Sequence, residues 1–299
     1  MYNRILVPLD GSQLAEQVLP YVKLLAQGIK CHTELLQVIQ YSPAPTHPRQ
    51  IMANLTGEAY KYLKKTAASL KGSGLTASSL VHHGDPASDI VAEAESEPGT
   101  LIAMATHGSS GLARWMLGSV TDKVLHATTN PLLVVRVEEQ EATTTEIELE
   151  NVIVPLDESP LAEQVLPHAA YLARAMGLRI ILLRVTPAAG DYYRTMEYVP
   201  GNFGDIAQFI DGQALEYLHQ VGQKLRGEGL PQVEERLLHG HPAAAIVDLA
   251  RETRHSFVAM TTHGRSGIGR WLLGSVADRV VRHSAGPVLM VRPAEEDSK

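Results

Sequence analysis

The sequence predicts an α/β fold of two tandem, doubly wound domains with mostly parallel sheets. Three observations support this prediction. One set of motifs occurs twice along the chain, strand-like and helix-like segments alternate within each copy, and the strand-like segments are continuous apolar runs. A length of 299 residues is also typical of two domains of ordinary size.

The repeat is clearest at the start of each copy. Ile5–Asp10 (ILVPLD) recurs as Val152–Asp157 (VIVPLD), and the segment LAEQVLP begins at Leu14 and again at Leu161. A motif that recurs in the same order and context indicates two copies of one structural unit.

An acidic segment separates the two copies. Residues 138–146 are polar and show no apolar period, as expected of a solvated linker. The expected domains are therefore residues 1–144 and 145–299.

The alternation of segments gives the order of elements in the first copy. The expected strands are the apolar runs at 5–9, 33–39, 78–81, 101–105 and 132–137. The expected helices are a first helix capped by Ser12 and three later ones at 51–70, 87–94 and 120–127. In open sheets of this kind, ligands bind at the carboxyl ends of the strands, near the point where the strand order reverses.

Composition excludes several classes of protein. A formal net charge of −7 argues against non-specific nucleic-acid binding, which needs Lys and Arg to neutralise phosphates. Cys31 is the only cysteine, which rules out an internal disulfide or a metal site built on several thiolates and fits a reducing compartment. No apolar stretch approaches the roughly 18 residues of a membrane helix. We expect a cytoplasmic protein with no metal site and no nucleic-acid or membrane partner.

A glycine-rich segment follows the fourth predicted strand of each copy. It reads ATHGSSG from Ala105 and TTHGRSG from Thr261, and a Gly-Ser-Val triplet follows at Gly118 and Gly274. Glycine lets the backbone approach a ligand closely, and the N–H groups at a helix start favour a phosphate. Arg265 adds a positive charge to the second loop. The pattern therefore predicts a phosphate-binding loop in each copy.

In their order and duplication, these motifs resemble the universal stress protein family in its tandem, two-domain form. The resemblance covers both copies nearly end to end and implies a five-stranded parallel sheet in each, of the Rossmann-like, adenine nucleotide alpha hydrolase-like type. An ATP-binding subclass carries a glycine, two residues, a second glycine, nine residues, and then glycine with serine or threonine. The last two elements are matched by Gly108 with Gly118–Ser119, and by Gly264 with Gly274–Ser275.

The resemblance also implies roles for individual residues. Asp10 and Asp157 would face the ribose, and Val38 and Val185 the adenine. The expected cofactor is ATP, with Mg²⁺ as its candidate counter-ion. The candidate nucleotide-binding residues are Asp10, Val38, Ala105, Gly108, Ser109, Gly118, Ser119, Val120, Asp157, Val185, Thr261, Gly264, Arg265, Gly274, Ser275 and Val276.

Two features depart from the family pattern. Its first glycine is replaced by Ala105 in one copy and by Thr261 in the other, and threonine brings a branched side chain close to the expected phosphates. Glu158 stands where the first copy has Gly11, which places an acid near the same phosphates. The first copy is therefore the better candidate for ATP binding.

Local structural roles are an alternative for several candidates. These roles are helix caps for Ser119 and Ser275, turn hydrogen bonds for Asp10 and Asp157, and turn glycines for Gly108 and Gly264.

Three functions are compatible with the sequence: a nucleotide-binding stress-response regulator, a nucleotide-using enzyme and a nucleotide-free interaction module. The chain has no Gly-x₄-Gly-Lys-Ser/Thr loop and the glycine loops have no lysine, so at most slow ATP hydrolysis is expected. We favour the regulator. The two copies are expected to pair through their last strands, 132–137 and 288–292, whose apolar edges would otherwise be exposed, and a homodimer is a further candidate assembly.

Overall fold

A computed structural model gives the fold of the chain and describes residues 1–40, 48–106, 117–137, 147–188, 203–264 and 273–294. The chain divides into two compact units, Met1–Glu148 (unit 1) and Leu149–Lys299 (unit 2). The expected boundary at residues 144 and 145 lies outside the described residues, and the domain ranges 1–144 and 145–299 stay a prediction.

Unit 1 alternates strands and helices as expected. Its elements are β1 (Arg4–Pro8), α1 (Gln13–Glu16), α2 (Leu19–Ile29), β2 (His32–Ile39), α3 (Pro48–Gly72), β3 (Ala77–His83), α4 (Pro86–Glu95), β4 (Thr100–Ala105), α5 (Ser119–Ala127) and β5 (Leu132–Val135). The strands lie in the order β3-β2-β1-β4-β5 and every pair is parallel. The five-stranded parallel sheet is thereby confirmed.

Unit 2 repeats this architecture. Its elements are β6 (Asn151–Pro155), α6 (Pro160–Glu163), α7 (Leu166–Met176), β7 (Arg179–Thr186), α8 (Phe203–Gly227), β8 (Val233–His239), α9 (Pro242–Glu252), β9 (Ser256–Thr261), α10 (Ser275–His283) and β10 (Val288–Val291). The strand order is β8-β7-β6-β9-β10, again with parallel pairs.

The first helical segment of each unit differs from the single helix that we expected. In unit 1 it is split into α1 and α2, and α1 ends at Glu16, four residues before Pro20. Proline has no N–H to donate to the carbonyl of residue i−4, and its ring crowds that carbonyl. Pro167 has the same effect in unit 2, where α6 ends at Glu163.

The central strands carry the core of each sheet. Ile5, Leu6 and Val7 of β1 have no exposed surface, and neither have the residues of β4 from Leu101 to Ala103. Strands covered on both faces are typical of a doubly wound sheet. The chain reverses its direction across the sheet between β1 and β4, so the carboxyl ends of these strands border the crevice where a ligand is expected.

Among the described residues, no helix combines the length and the apolar character that a membrane span requires.

Candidate functional site

A cleft of about 370 Å³ opens at the carboxyl ends of β1, β2 and β4 in unit 1. Six of the eight unit-1 candidates line it, namely Asp10, Val38, Ala105, Gly118, Ser119 and Val120. The other two, Gly108 and Ser109, lie outside the described residues. The rest of the described lining is Pro8, Leu9, Ala15, Leu36, Gln40, Pro86, Ile90, Met104 and Thr121. The volume is within the range of small-molecule sites.

One side of the cleft is apolar. Leu36 and Val38 lie two residues apart at the end of β2, so both side chains face the same side of the sheet. Ile90 from α4 and Met104 from β4 complete this apolar surface and are nearly fully buried. A flat, uncharged group such as a nucleobase fits such a slot.

Asp10 supplies a carboxylate at the end of β1. Its Oδ1 atom accepts hydrogen bonds from the Ser12 backbone N–H at 3.0 Å and from the Ser12 hydroxyl at 2.6 Å. Ser12 in turn accepts a bond from the Ala15 N–H and caps α1. The local turn bonds considered for Asp10 are therefore present. They also hold its carboxylate in the lining of the cleft.

The N-terminus of α5 forms the opposite side of the cleft. Gly118 is the N-cap residue and the helix starts at Ser119, without a side-chain capping bond. The alternative in which Ser119 caps the helix is wrong, because the helix begins one residue earlier than that pattern requires. The Gly118 N–H donates to the Thr106 carbonyl at 2.7 Å, and the Thr121 hydroxyl donates to the Ala105 carbonyl at 2.9 Å. These bonds anchor the start of α5 to the end of β4.

The described lining of the cleft carries few charged groups. No Lys, Arg or His is present among its described lining residues, and Asp10 is the one charged side chain there. Transfer of a phosphoryl group relies on cations placed at the phosphates. Here the described positive element is the N-terminal end of α5, with its free N–H groups and helix dipole.

In unit 2 the equivalent carboxylate lies against the glycine loop. Asp157 Oδ1 accepts bonds from the Ser159 N–H at 3.1 Å and from the Ser159 hydroxyl at 2.5 Å. A Cβ atom added to Gly264 would lie 2.2 Å from Asp157 Oδ2. A side chain at this position would therefore displace the Asp157 carboxylate.

The end of β9 has a further set of hydrogen bonds. The Thr261 hydroxyl donates to the His263 carbonyl at 2.7 Å, and the Thr262 hydroxyl lies 3.1 Å from His263 Nδ1. Burial, with a smaller contribution from the Arg292 charge, lowers the pKa of His263 below its ordinary value of 6.5, so the ring is neutral at pH 7. The branched Thr261 side chain is thus held within its own loop.

Glu158 is paired rather than isolated. Its φ of +69° places it in the left-handed region, as does the φ of +85° at Gly11 in unit 1. Arg184, on β7, donates from Nε to Glu158 Oε1 at 2.8 Å and from Nη1 to the Val185 carbonyl at 2.7 Å. The acid that the sequence placed near the expected phosphates therefore has its charge balanced by Arg184.

The remaining described unit-2 candidates lie on β7 and at the start of α10. Val185 is buried near the end of β7. Gly274 caps α10, which starts at Ser275 and continues with Val276, so Ser275 is not the cap residue either. A Cβ atom on Gly274 would lie 3.0 Å from the Thr262 carbonyl oxygen. Arg265 lies outside the described residues.

A family model described as the universal stress protein family matches residues 1–136 and 148–292. The chain belongs to the universal stress protein family. A universal stress protein of Mycolicibacterium smegmatis is 27% identical over 207 residues, which are 66% of this chain and 63% of that relative. This chain therefore matches less than two thirds of the length of that relative. A universal stress protein of Methanocaldococcus jannaschii is 30% identical over 147 residues, 49% of this chain and 84% of the relative.

A solved structure shows the same fold over both units. The crystal structure of a universal stress protein from Archaeoglobus fulgidus aligns with a TM-score of 0.74 at 22% identity, covering 98% of this chain and 100% of that chain. The tandem arrangement of two universal stress protein domains is therefore confirmed.

Sequence reasoning missed several residues of this universal stress protein cleft. Leu36 and Gln40 could have been found, because they alternate with Val38 along β2 and its continuation. Ile90 and Pro86 come from α4, and no local motif marks them. Their approach to the cleft depends on how α4 packs against the sheet.

Proposed function

We propose that this chain binds an adenine nucleotide, with ATP as the expected species, in the unit-1 cleft and acts as a nucleotide-responsive regulator in the stress response. The observation that carries the proposal is the convergence of Asp10, Val38 and the Gly118–Ser119 helix start on one cleft. These groups come from three separate elements. They offer a carboxylate for hydroxyl groups, an apolar surface for a base and N–H groups for a phosphate.

The fit to a nucleotide follows from the chemistry of each part. The adenine lies against the Val38 side of the cleft, the ribose hydroxyls donate to Asp10, and the phosphates lie at the N-terminus of α5. The described lining carries no cation, and Mg²⁺ bound with the triphosphate would supply counter-charge to its phosphates. Membership of the universal stress protein family supports the same assignment.

The side chains that line the cleft favour regulation over catalysis. The described lining offers neither a base paired with a nucleophile nor a cation beside the expected phosphates. Slow hydrolysis of bound ATP is the most that this arrangement supports. Together with the single cysteine, this fits a regulatory protein of the reducing cytoplasm.

We further propose that the two units pair through β5 and β10 and that the tandem chain can form a homodimer. Each of these strands is the last of its own unit's sheet, and all four of its residues are apolar. An apolar edge strand is a natural pairing surface. Units expressed separately should associate in sedimentation experiments, and two stable monomers would contradict the pairing.

Calorimetric titration tests the nucleotide proposal. Purified full-length protein, shown to be free of nucleotide, is titrated with ATP and Mg²⁺, and then with ADP, AMP and GTP. Gly118→Val places a branched side chain at the helix start and should weaken ATP binding at least tenfold, a loss of about 1.4 kcal/mol. Gly274→Val is the matched variant in unit 2 and reports whether that unit also binds.

The outcomes separate the candidate functions. One or two ATP sites, with loss of one in a folded Gly118→Val variant, would support the proposal. Unchanged affinity in that variant, with a native circular dichroism spectrum, would remove the α5 terminus from the site. A wild-type protein that binds no nucleotide would favour the interaction module.

A further inference from the structure

Gln40 places an amide group at the exposed end of the unit-1 cleft. It directly follows β2 and lines the cleft with Val38 and Leu36, which lie two and four residues earlier. Side chains alternate along an extended segment, so these three share one side. Within the described part of the chain, no hydrogen bond or ion pair engages the Gln40 side chain.

The other polar side chains of the described lining have different positions or partners. The Thr121 hydroxyl is bonded to the Ala105 carbonyl, Asp10 is bonded to Ser12, and Ser119 belongs to the helix start. Gln40 is the one amide side chain among these lining residues, and it borders the apolar surface. A polar group at the edge of an apolar slot fixes the orientation of a ligand.

We infer that the Gln40 side chain hydrogen-bonds the edge of the base of the bound nucleotide and lets the unit-1 cleft bind either purine; this inference rests on the proposed nucleotide binding. An amide offers one acceptor oxygen beside N–H donors. The edge of adenine presents the N6 amino donor beside the N1 acceptor, which an amide complements with two hydrogen bonds. The edge of guanine presents the reverse pattern, O6 beside N1–H, and an amide rotated by half a turn complements that as well.

The amide can therefore bind either purine, whereas a carboxylate at the same position would discriminate between them. A glutamate carboxylate only accepts hydrogen bonds. It can receive N1–H and the N2 amino group of guanine together, but it repels N1 of adenine. Unit 2 has Pro187 at the equivalent position, which carries no amide. Recognition of the base by a side-chain amide at this position thus belongs to unit 1.

Titrations of three full-length variants test the inference. Gln40→Glu and Gln40→Leu are compared with wild type for ATP and GTP, each with Mg²⁺, at the site that Gly118→Val removes. Gln27→Glu is the matched control, because Gln27 is an exposed glutamine on α2 that does not line the cleft. The ratio of ATP to GTP affinity is the readout, since charge repulsion from a new glutamate affects both nucleotides alike.

The expected results are specific for each variant. Gln40→Leu should weaken both nucleotides two- to tenfold, the usual value of a modest hydrogen-bond loss. Gln40→Glu should shift the affinity ratio towards GTP by about tenfold, and Gln27→Glu should leave it unchanged. A wild-type affinity ratio in Gln40→Glu together with wild-type affinities in Gln40→Leu would overturn the role of Gln40 while ATP binding stands. Absence of nucleotide binding in wild type would overturn the proposed function and this inference together.

Discussion

Substitution of Gly264 by alanine should destabilise unit 2 by displacing Asp157. The added Cβ atom would lie 2.2 Å from Asp157 Oδ2 and 3.0 Å from its Cγ, far inside normal contact distances. The Asp157 side chain cannot rotate away freely, because its Oδ1 atom holds two bonds from Ser159. Either those bonds break or the glycine loop moves.

The expected loss of stability follows from the two hydrogen bonds between Ser159 and Asp157 that the substitution would disturb. Hydrogen bonds to a charged group are each worth about 1.5–3 kcal/mol, and partial exposure of Asp157 lets water replace part of that. The φ of Gly264 lies outside the left-handed range, so alanine also gains roughly 0.4–1 kcal/mol from reduced unfolded-state entropy. We expect a net loss of about 1–2 kcal/mol, equivalent to a fall in Tm of roughly 2–8 °C.

A double-mutant cycle gives the decisive test. Urea unfolding, followed by circular dichroism, is measured for wild type, Gly264→Ala, Asp157→Ala and the double variant. If the contact with Asp157 is the cause, Gly264→Ala should cost nothing in the Asp157→Ala background. Gly212→Ala in α8 is the control, because its Cβ would meet nothing within 4 Å and should stabilise the protein by about 0.5–1 kcal/mol. An equal cost of Gly264→Ala in both backgrounds would refute the reasoning.

Three further predictions concern stability. Arg4 is buried and donates from Nη1 to Glu34 and Glu93, so Arg4→Met should cost about 3–5 kcal/mol in urea unfolding, and a loss below 1 kcal/mol would contradict this. Burial lowers the pKa of His168 below 6.5, so on acidification this histidine is protonated in the unfolded chain before it is protonated in the folded protein, and the free energy of unfolding should fall as pH drops below about 6.5. His168→Gln should make that fall between about pH 7 and 5 less steep, and an unchanged dependence of stability on pH would argue against this prediction. Glu158→Gly should alter the free energy of unfolding by less than about 1 kcal/mol, because relief of the left-handed backbone offsets the lost ion pair; a larger change in the same unfolding assay would show that one of the two dominates.

The part of the cleft that lies at the ends of the strands could be predicted from the sequence. Asp10 and Val38 are far apart in the chain, but both lie at carboxyl ends of parallel strands, which meet at one edge of the sheet. The α5 start was predicted from its Gly-Ser-Val triplet, whereas the alternative in which Ser119 caps the helix is wrong, because Gly118 is the N-cap residue. The bond from the Gly118 N–H to the Thr106 carbonyl joins two loop positions, and no helix-capping rule contains it.

Other features depend on contacts between distant segments. The sequence alone gave no partner for the Glu158 carboxylate, because Arg184, which forms an ion pair with it, lies on another strand. The two meet because β6 and β7 pair with Pro155 opposite Leu183, which brings the ends of both strands together. Register of this kind is set by the packing of the whole sheet.

The sequence by itself determined the duplicated α/β architecture, the parallel sheets and the edge at which a ligand is expected. Periodicity, glycine and proline are local signals, and a repeated motif needs no knowledge of packing. Only the tertiary structure decided which polar groups converge, with Gln40 and Asp10 on one cleft and Asp157 against Gly264. The physical reason is that side-chain direction and strand register bring together residues whose separation along the chain carries no signal of their contact.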